Sequence, residues 1–203
     1  MENTEVEQKY QLVGDAQKVR DLLKGVGAEP GEPSHQIDTY YNAPHRDFLA
    51  PDVISEWLRV RIEDGSASLT FKRCHFIDGI MSHCDEFETT VADSTAVTHI
   101  LSALDYTEIA VVDKVREEWT TSDGDIAVAF DEVAGLGAFV EFEFKGAAGS
   151  VKTATARLEE FIASLGASLG DRVHAGYPRL ALDRGPRRGP GGPLPAPRQR
   201  CPN

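Results

Sequence analysis

Two carboxylates two residues apart, Glu5 and Glu7, stand in register with Lys9, while the other parity of the same segment carries Val6 and Tyr10. This is the alternation of a β-strand, whose successive side chains point to opposite faces. The pattern returns along the chain. Arg59 and Arg61 alternate with Leu58, Val60 and Ile62, and Ser68, Thr70 and Lys72 alternate with Leu69 and Phe71. Glu86 and Glu88 flank Phe87, Lys114 and Arg116 flank Val115, Asp131 follows Val128 and Phe130, and Glu141 and Glu143 alternate with Val140, Phe142 and Phe144. The charged pairs each carry a single sign, whereas a solvated sheet face mixes signs, because like charges set side by side repel.

Period-2 segments near residues 4–12, 34–42, 56–63, 66–74, 84–91, 107–120, 124–131 and 138–145 predict about eight strands. Helical spacing of apolar residues predicts three helices, over 15–26, 93–104 and 150–165, with Asp15, Asp93 and Ser150 as N-caps. The stretches "EDGS" at 63–66, "DG" at 78–79 and "SDGD" at 122–125 predict hairpin turns. Many strands with few intervening helices argue for an α+β protein built on an antiparallel sheet or barrel. "GLGAFV" at 135–140 lacks the third glycine of a dinucleotide fingerprint, which excludes a Rossmann or P-loop reading.

If the strands close into a barrel with their apolar parity outward under the helices, the charges line a water-filled tunnel. Clustered carboxylates in such a place suit a hard divalent cation, Mg²⁺ or Mn²⁺, held through oxygen. Clustered arginines and lysines suit a phosphate chain. For Glu5, Glu7 and Lys9 taken alone, an exposed strand explains the pattern as well; the ordered set of partners favours the tunnel. A polyphosphate- or nucleotide-binding protein without turnover, or a barrel whose charges are only structural, are the readings that compete with an enzyme.

At 203 residues the chain has room for one domain of ordinary size. Its net charge is -12, and five of its 21 basic residues, but none of its 33 acidic ones, fall in the last 20 positions. The first 183 residues are therefore more acidic than the whole, and such a surface repels nucleic acid. The segment 184–203, rich in Gly, Pro and Arg, is predicted to be a disordered tail. No apolar run is long enough for a membrane helix and the opening residues are acidic and polar, so a cytoplasmic protein is expected. Three cysteines do not suggest a disulfide framework. Cys74–His75 and His83–Cys84 invite a zinc reading, but neighbouring strand residues face opposite ways, so four ligands from these pairs do not converge. Asp38, Tyr40 and Tyr41 are read as strand packing, and Trp57 and Trp119 as packing residues able to meet an organic group.

In their order, "EVEQK", "QIDTYYNAPHRDF", "EWLRVR", "LTFKR", "EFE", "DKVREEW" and "AFDEVAGLGAFVEFEF" resemble the CYTH or triphosphate tunnel metalloenzyme family, over residues 4–146 with a looser continuation to "GYPRLAL". The family includes class IV adenylate cyclases, thiamine triphosphatases and inorganic triphosphatases, and "DTYYNAP" and "GLGAFVEFE" look most like the cyclase branch. The resemblance implies a closed eight-stranded antiparallel barrel with flanking helices, a catalytic domain over 1–183 and the tail beyond it. It implies metal ligation by Glu5, Glu7, Glu141 and Glu143 with Asp131, and a catalytic, phosphate-gripping set of Lys9, Arg59, Arg61, Lys72, Lys114 and Arg116, to which Arg73 and Arg179 are added as substrate contacts. Glu86 and Glu88 fall on a second acidic pair, in "SHCDEFE", where cyclase-like members are expected to show an arginine. Tyr177 or Arg179 is expected to close the tunnel. The implied activity is metal-dependent conversion of a triphosphate: ATP to cyclic AMP and pyrophosphate, or hydrolysis of a nucleoside, inorganic or organic polyphosphate such as thiamine triphosphate or tripolyphosphate. A homodimer is implied by resemblance alone.

Overall fold

The computed structural model describes residues 4–185. In chain order the elements are β1 (Thr4–Gln11), α1 (Ala16–Gly25), β2 (Glu29–Pro30), β3 (Ser34–Asn42), β4 (Glu56–Glu63), β5 (Ser66–Ile77), β6 (Ile80–Val91), α2 (Ser94–Ala103), β7 (Thr107–Thr120), β8 (Ile126–Val133), β9 (Gly137–Phe144), α3 (Val151–Leu165), β10 (Arg172–Val173) and α4 (Tyr177–Arg184). Eight of the strands form a closed antiparallel barrel in the order β1-β6-β5-β4-β3-β7-β8-β9, and β9 returns to β1 from Val6↔Phe144 to Gln11↔Phe139. Closure leaves no long strand edge unpaired. The opposite seam is thin: β1 meets β6 only at Thr4↔Asp85 and Glu5↔Cys84, and β10 covers Lys9 and Tyr10 further along.

The apolar parity faces outward, as the tunnel reading requires. Val6, Val128, Phe130, Val140 and Phe142 lie against Val19 and Leu23 of α1 and Leu158 and Leu165 of α3. Each fully buried side chain of this kind contributes about 1.5–3 kcal/mol, so this face anchors the barrel. A smaller outer cluster packs Leu101 of α2 against Tyr41 and Val60. The three predicted caps are in place: Asp15 accepts from the Gln17 amide, Asp93 from that of Ala96 and Ser150 from that of Thr153. Asp64–Gly65 and Asp78–Gly79 both take positive φ, the conformation that two-residue hairpin turns need.

Four features depart from the expectation. The β5–β6 hairpin runs to Ile77 and Ile80, past the limits at 74 and 84, because the ladder continues through Cys74↔Cys84 and His75↔His83. Cys74 and Cys84 are disulfide-bonded across that ladder, a single bridge that the three cysteines, which do not suggest a disulfide framework, left unannounced. Two-residue β2 and β10 are too short for a periodicity to reveal. Helix α4, with a proline in its first turn, carries the folded chain through Arg184, one residue past the boundary set at 183. The disorder predicted for the rest of the tail lies outside the described residues. Among the described residues no helix is long and apolar enough to cross a membrane.

Candidate active site

Strand order gathers most of the inward charges into two arcs, with Lys9 of β1 inside the acidic one and Asp38, Glu63 and Glu118 of β3, β4 and β7 inside the basic one. Neighbouring staves β9, β1 and β6 carry Glu141, Glu143, Glu5, Glu7, Glu86 and Glu88, whereas β5, β4 and β7 carry Lys72, Arg59, Arg61, Lys114 and Arg116. Between the arcs lies a cavity of about 610 Å³. It has an apolar end as well: Val53, Ile54, Trp57, Phe76, Met81 and Tyr177 line the same space. At the acidic side a second cavity of about 570 Å³ shares Glu5, Glu86, Glu88, Glu143 and Lys145.

Two buried aspartates hold the basic groups. Asp131 on β8, 2% exposed, accepts from Arg116 Nε at 2.7 Å, from the Tyr177 hydroxyl at 2.7 Å and from Lys114 Nζ at 3.4 Å. Asp38 on β3, 1% exposed, accepts from Arg61 Nε at 2.6 Å and Nη2 at 2.8 Å, and from Arg59 at 3.4 Å. Asp38 was read as packing; its register opposite Arg61 in the β3–β4 ladder is the signal that finds it. Burial opposes its ionisation, but the Arg61 hydrogen bonds and the Arg59 charge hold its carboxyl below the ordinary range. Arg59 is the looser guanidinium. Its other partners are the Tyr40 side chain and the carboxylates of Glu86 and Glu88 at 3.5 and 3.6 Å, and its buried Nε has no acceptor among the described residues.

The carboxylates differ sharply from one another. Glu141 pairs with Lys9 at 3.0 Å and with Arg116, and although burial opposes its charge these cations hold it well below the ordinary range. Glu5 pairs with Lys72 at 2.5 Å; burial again works against ionisation, and the ammonium outweighs it. Glu143 pairs with Lys145 at 2.6 Å, yet burial and Glu5 push it up. Glu7 has no salt-bridge partner among those assigned in the described residues, and burial with the charges of Glu5 and Glu141 pushes it up to about 8. Burial and two neighbouring carboxylates make Glu7 an oxygen donor whose charge a hard divalent cation would compensate. Glu5, Glu7, Glu141 and Glu143 are the residues that could hold one.

Lys9 and Lys114 both stand over the Tyr177 ring, 4.1 and 5.0 Å from its centroid, so α4 reaches the tunnel through this side chain. Burial and the Arg116 charge push Lys114 down to about 8. Asp131, with its oxygens engaged by Arg116, Lys114 and Tyr177, is placed to orient cations. Arg179 lines the cavity while its Nε donates to Asp183 at 3.1 Å. Arg73 lies on the outer face near Glu56 at 3.5 Å and is not brought into the tunnel. Trp57 lines the cavity, but Trp119 is buried in the outer core, its indole donating to Glu117 at 2.9 Å. Lys145, absent from the expected set, continues the inward parity of Glu141 and Glu143 one residue past the end of β9, and that alternation is the signal that finds it.

The CYTH domain family model matches residues 3–177. A protein of Methanocaldococcus jannaschii, assigned as a candidate adenylate cyclase, is 35% identical over 139 residues, covering 68% of this chain and 75% of that one. The PH1819 protein of Pyrococcus horikoshii superposes with a TM-score of 0.74 at 27% identity, over 89% of this chain and 99% of its own. HpAC1 of Hippeastrum, a candidate adenylyl cyclase described as having a dominant triphosphatase activity, shares the fold at 15% identity, with a TM-score of 0.59 over 92% of this chain and 97% of its own. With the eight-stranded tunnel and the family match over nearly its whole folded length, this chain belongs to the CYTH domain family.

Proposed function

We propose that the protein is a divalent-metal-dependent phosphoryl-transfer enzyme acting on an organic triphosphate held in the tunnel. The observation that carries the reading is the segregation of the arcs: a pure anion binder does not need Glu5, Glu7, Glu141 and Glu143 beside its basic groups. Arg59, Arg61, Lys72, Lys114 and Arg116 grip the phosphate chain from one side, Lys9 reaches it from the acidic side, and Arg179 stands at the rim. Asp38 and Asp131 fix the guanidinium planes before substrate arrives, so less ordering remains to be done on binding. A bound phosphate chain also restores Lys114 to full charge. Glu5, Glu7, Glu141 and Glu143 hold Mg²⁺ or Mn²⁺, which when bound neutralises charge on the phosphate oxygens and activates or orients the attacking oxygen. The apolar end at Trp57, Ile54, Phe76 and Met81 favours a substrate with an organic group over bare tripolyphosphate.

Two products are compatible with this grip. Attack of water on the terminal phosphorus yields orthophosphate; attack of a ribose 3′ oxygen on the α-phosphorus yields a cyclic nucleotide and pyrophosphate. The experiment is product analysis with Mg²⁺ or Mn²⁺ and ATP, GTP, thiamine triphosphate, tripolyphosphate and organic diphosphates, for the wild type and Glu7→Gln. Turnover of an organic triphosphate is expected, reduced by about 100-fold in Glu7→Gln while the variant stays folded. Tight binding of the substrates with no turnover of any would make the protein a polyphosphate binder, and an unchanged rate in Glu7→Gln would remove Glu7 from the metal site.

A further inference from the structure

The far end of the β5–β6 hairpin carries a second group of ligating side chains, on the wall facing away from the tunnel. Cys74 pairs with Cys84 and His75 with His83 on successive rungs of the ladder. Alternation turns the cysteine rung inward, where it lines the cavity, and the histidine rung outward. The two imidazoles stack with centroids 4.5 Å apart and planes 10° from parallel. Asp85, on the same face two residues beyond His83, lies 2.8 Å from His75 Nε2. One ligand atom from each of His75, His83 and Asp85 lies within 4.8 Å of the others, and these three are the group of that kind found among the described residues.

We propose that His75, His83 and Asp85 form a binding site for a borderline divalent transition-metal ion, Zn²⁺, Ni²⁺ or Co²⁺, separate from the hard-cation site of the tunnel. Two imidazole nitrogens and one carboxylate oxygen suit these ions and not Mg²⁺. Bonds of about 2.0–2.2 Å set the ligand atoms of one such ion about 3.4 Å apart, so side-chain rotation on the outer ladder face opens the His75–Asp85 hydrogen bond and brings His83 in. A bulge after His75 leaves Ser82 unpaired, and its hydroxyl lies 3.3 Å from His83 Nδ1, which favours Nε2 of that ring as the ligand atom. Arg73 faces Asp85 across the ladder, and its guanidinium also reaches Glu56 at 3.5 Å. Three protein ligands leave the remaining positions to water.

The test uses the full chain, stripped with a chelator and titrated with Zn²⁺ by calorimetry and with Co²⁺ by absorption, in excess Mg²⁺ to occupy the tunnel. Binding of one ion is expected, with imidazole resonances moving for His75 and His83 and staying fixed for His35, His45, His99 and His174. His75→Ala and His83→Gln are each expected to weaken Zn²⁺ by at least about tenfold, with Mg²⁺-dependent turnover and thermal unfolding in the absence of Zn²⁺ unchanged. The proposal fails if no ion binds, if binding survives both substitutions, or if it needs reduction of the Cys74–Cys84 disulfide and is kept in His75→Ala, which would assign it to the freed thiols.

Discussion

Asp38 shows how much one buried carboxylate does in this tunnel. It is almost wholly enclosed and holds Arg61 by two short hydrogen bonds, with Arg59 a little further off. Removing one partner of such a pair leaves the other charge buried and uncompensated, at a cost of about 3–5 kcal/mol. The sign of the pH effect follows from its depressed folded-state pKa. Asp38 contributes stability that is present above the unfolded carboxyl value of 3.8 and is lost as pH falls through the lower folded value. Asp38→Asn is therefore expected to be less stable at neutral pH and to lose the part of the acid-unfolding limb below that value. Chemical denaturation from neutral pH down to strongly acidic pH checks this; parallel curves for the two proteins would mean that Arg61 does not depend on Asp38.

At the scale of elements, the barrel is unevenly secured. β9 and β1 share a long ladder, while the β1–β6 seam has two paired positions and leaves β10 to cover the rest of that edge. The chain reaches β10 through Gly170, whose amide donates to the Gln11 carbonyl at 3.0 Å. A Cβ at this position would lie 2.6 Å from the same carbonyl oxygen and 3.0 Å from Val13, so the approach depends on glycine. Gly170→Ala is expected to destabilise the protein by about 1–3 kcal/mol and to speed hydrogen exchange in β10 and α4 more than in β8 and β9. Uniform exchange, or no loss of stability, would show that the seam relaxes around the added methyl.

At the scale of the molecule, a tunnel lined by opposed arcs stores repulsion within each arc when no ligand is present. Ligands that bind only the folded state stabilise it by mass action, about 2.7 kcal/mol at a hundred times their dissociation constant. Tripolyphosphate with Mg²⁺ is expected to raise the unfolding temperature of the wild type by more than the sum of either ligand alone, and Arg59→Ala is expected to lose most of that gain. Differential scanning calorimetry reads it out; simple additivity would mean that cation and phosphate occupy independent sites.

Much of this protein was legible in one dimension because the constraint is local. A strand with Glu5, Glu7 and Lys9 on one face and Val6 and Tyr10 on the other needs its apolar side covered, and the 3.6-residue spacing around Val19, Leu101 and Leu158 supplied the covers with their caps. Parity alone placed Lys72, Arg116 and Glu141 on a common side of the wall. What parity could not say is which strands become neighbours. Only closure set β9, β1 and β6 side by side as the acidic arc; the registers of the β3–β4 and β7–β8 ladders aimed Asp38 at Arg61 and Asp131 at Arg116, and α4 brought Tyr177 from the far end of the chain onto Lys9 and Lys114. Arg73 obeys the same parity rule: it adjoins Lys72, so alternation turns it away from the tunnel and against its expected role as a substrate contact. Cys74 and Cys84 show the limit of parity, since their bond depends on the register of one hairpin. The sequence by itself determined which face of each strand is charged; the tertiary structure decided which charges meet, because pairing across a barrel depends on long-range register that no local spacing contains.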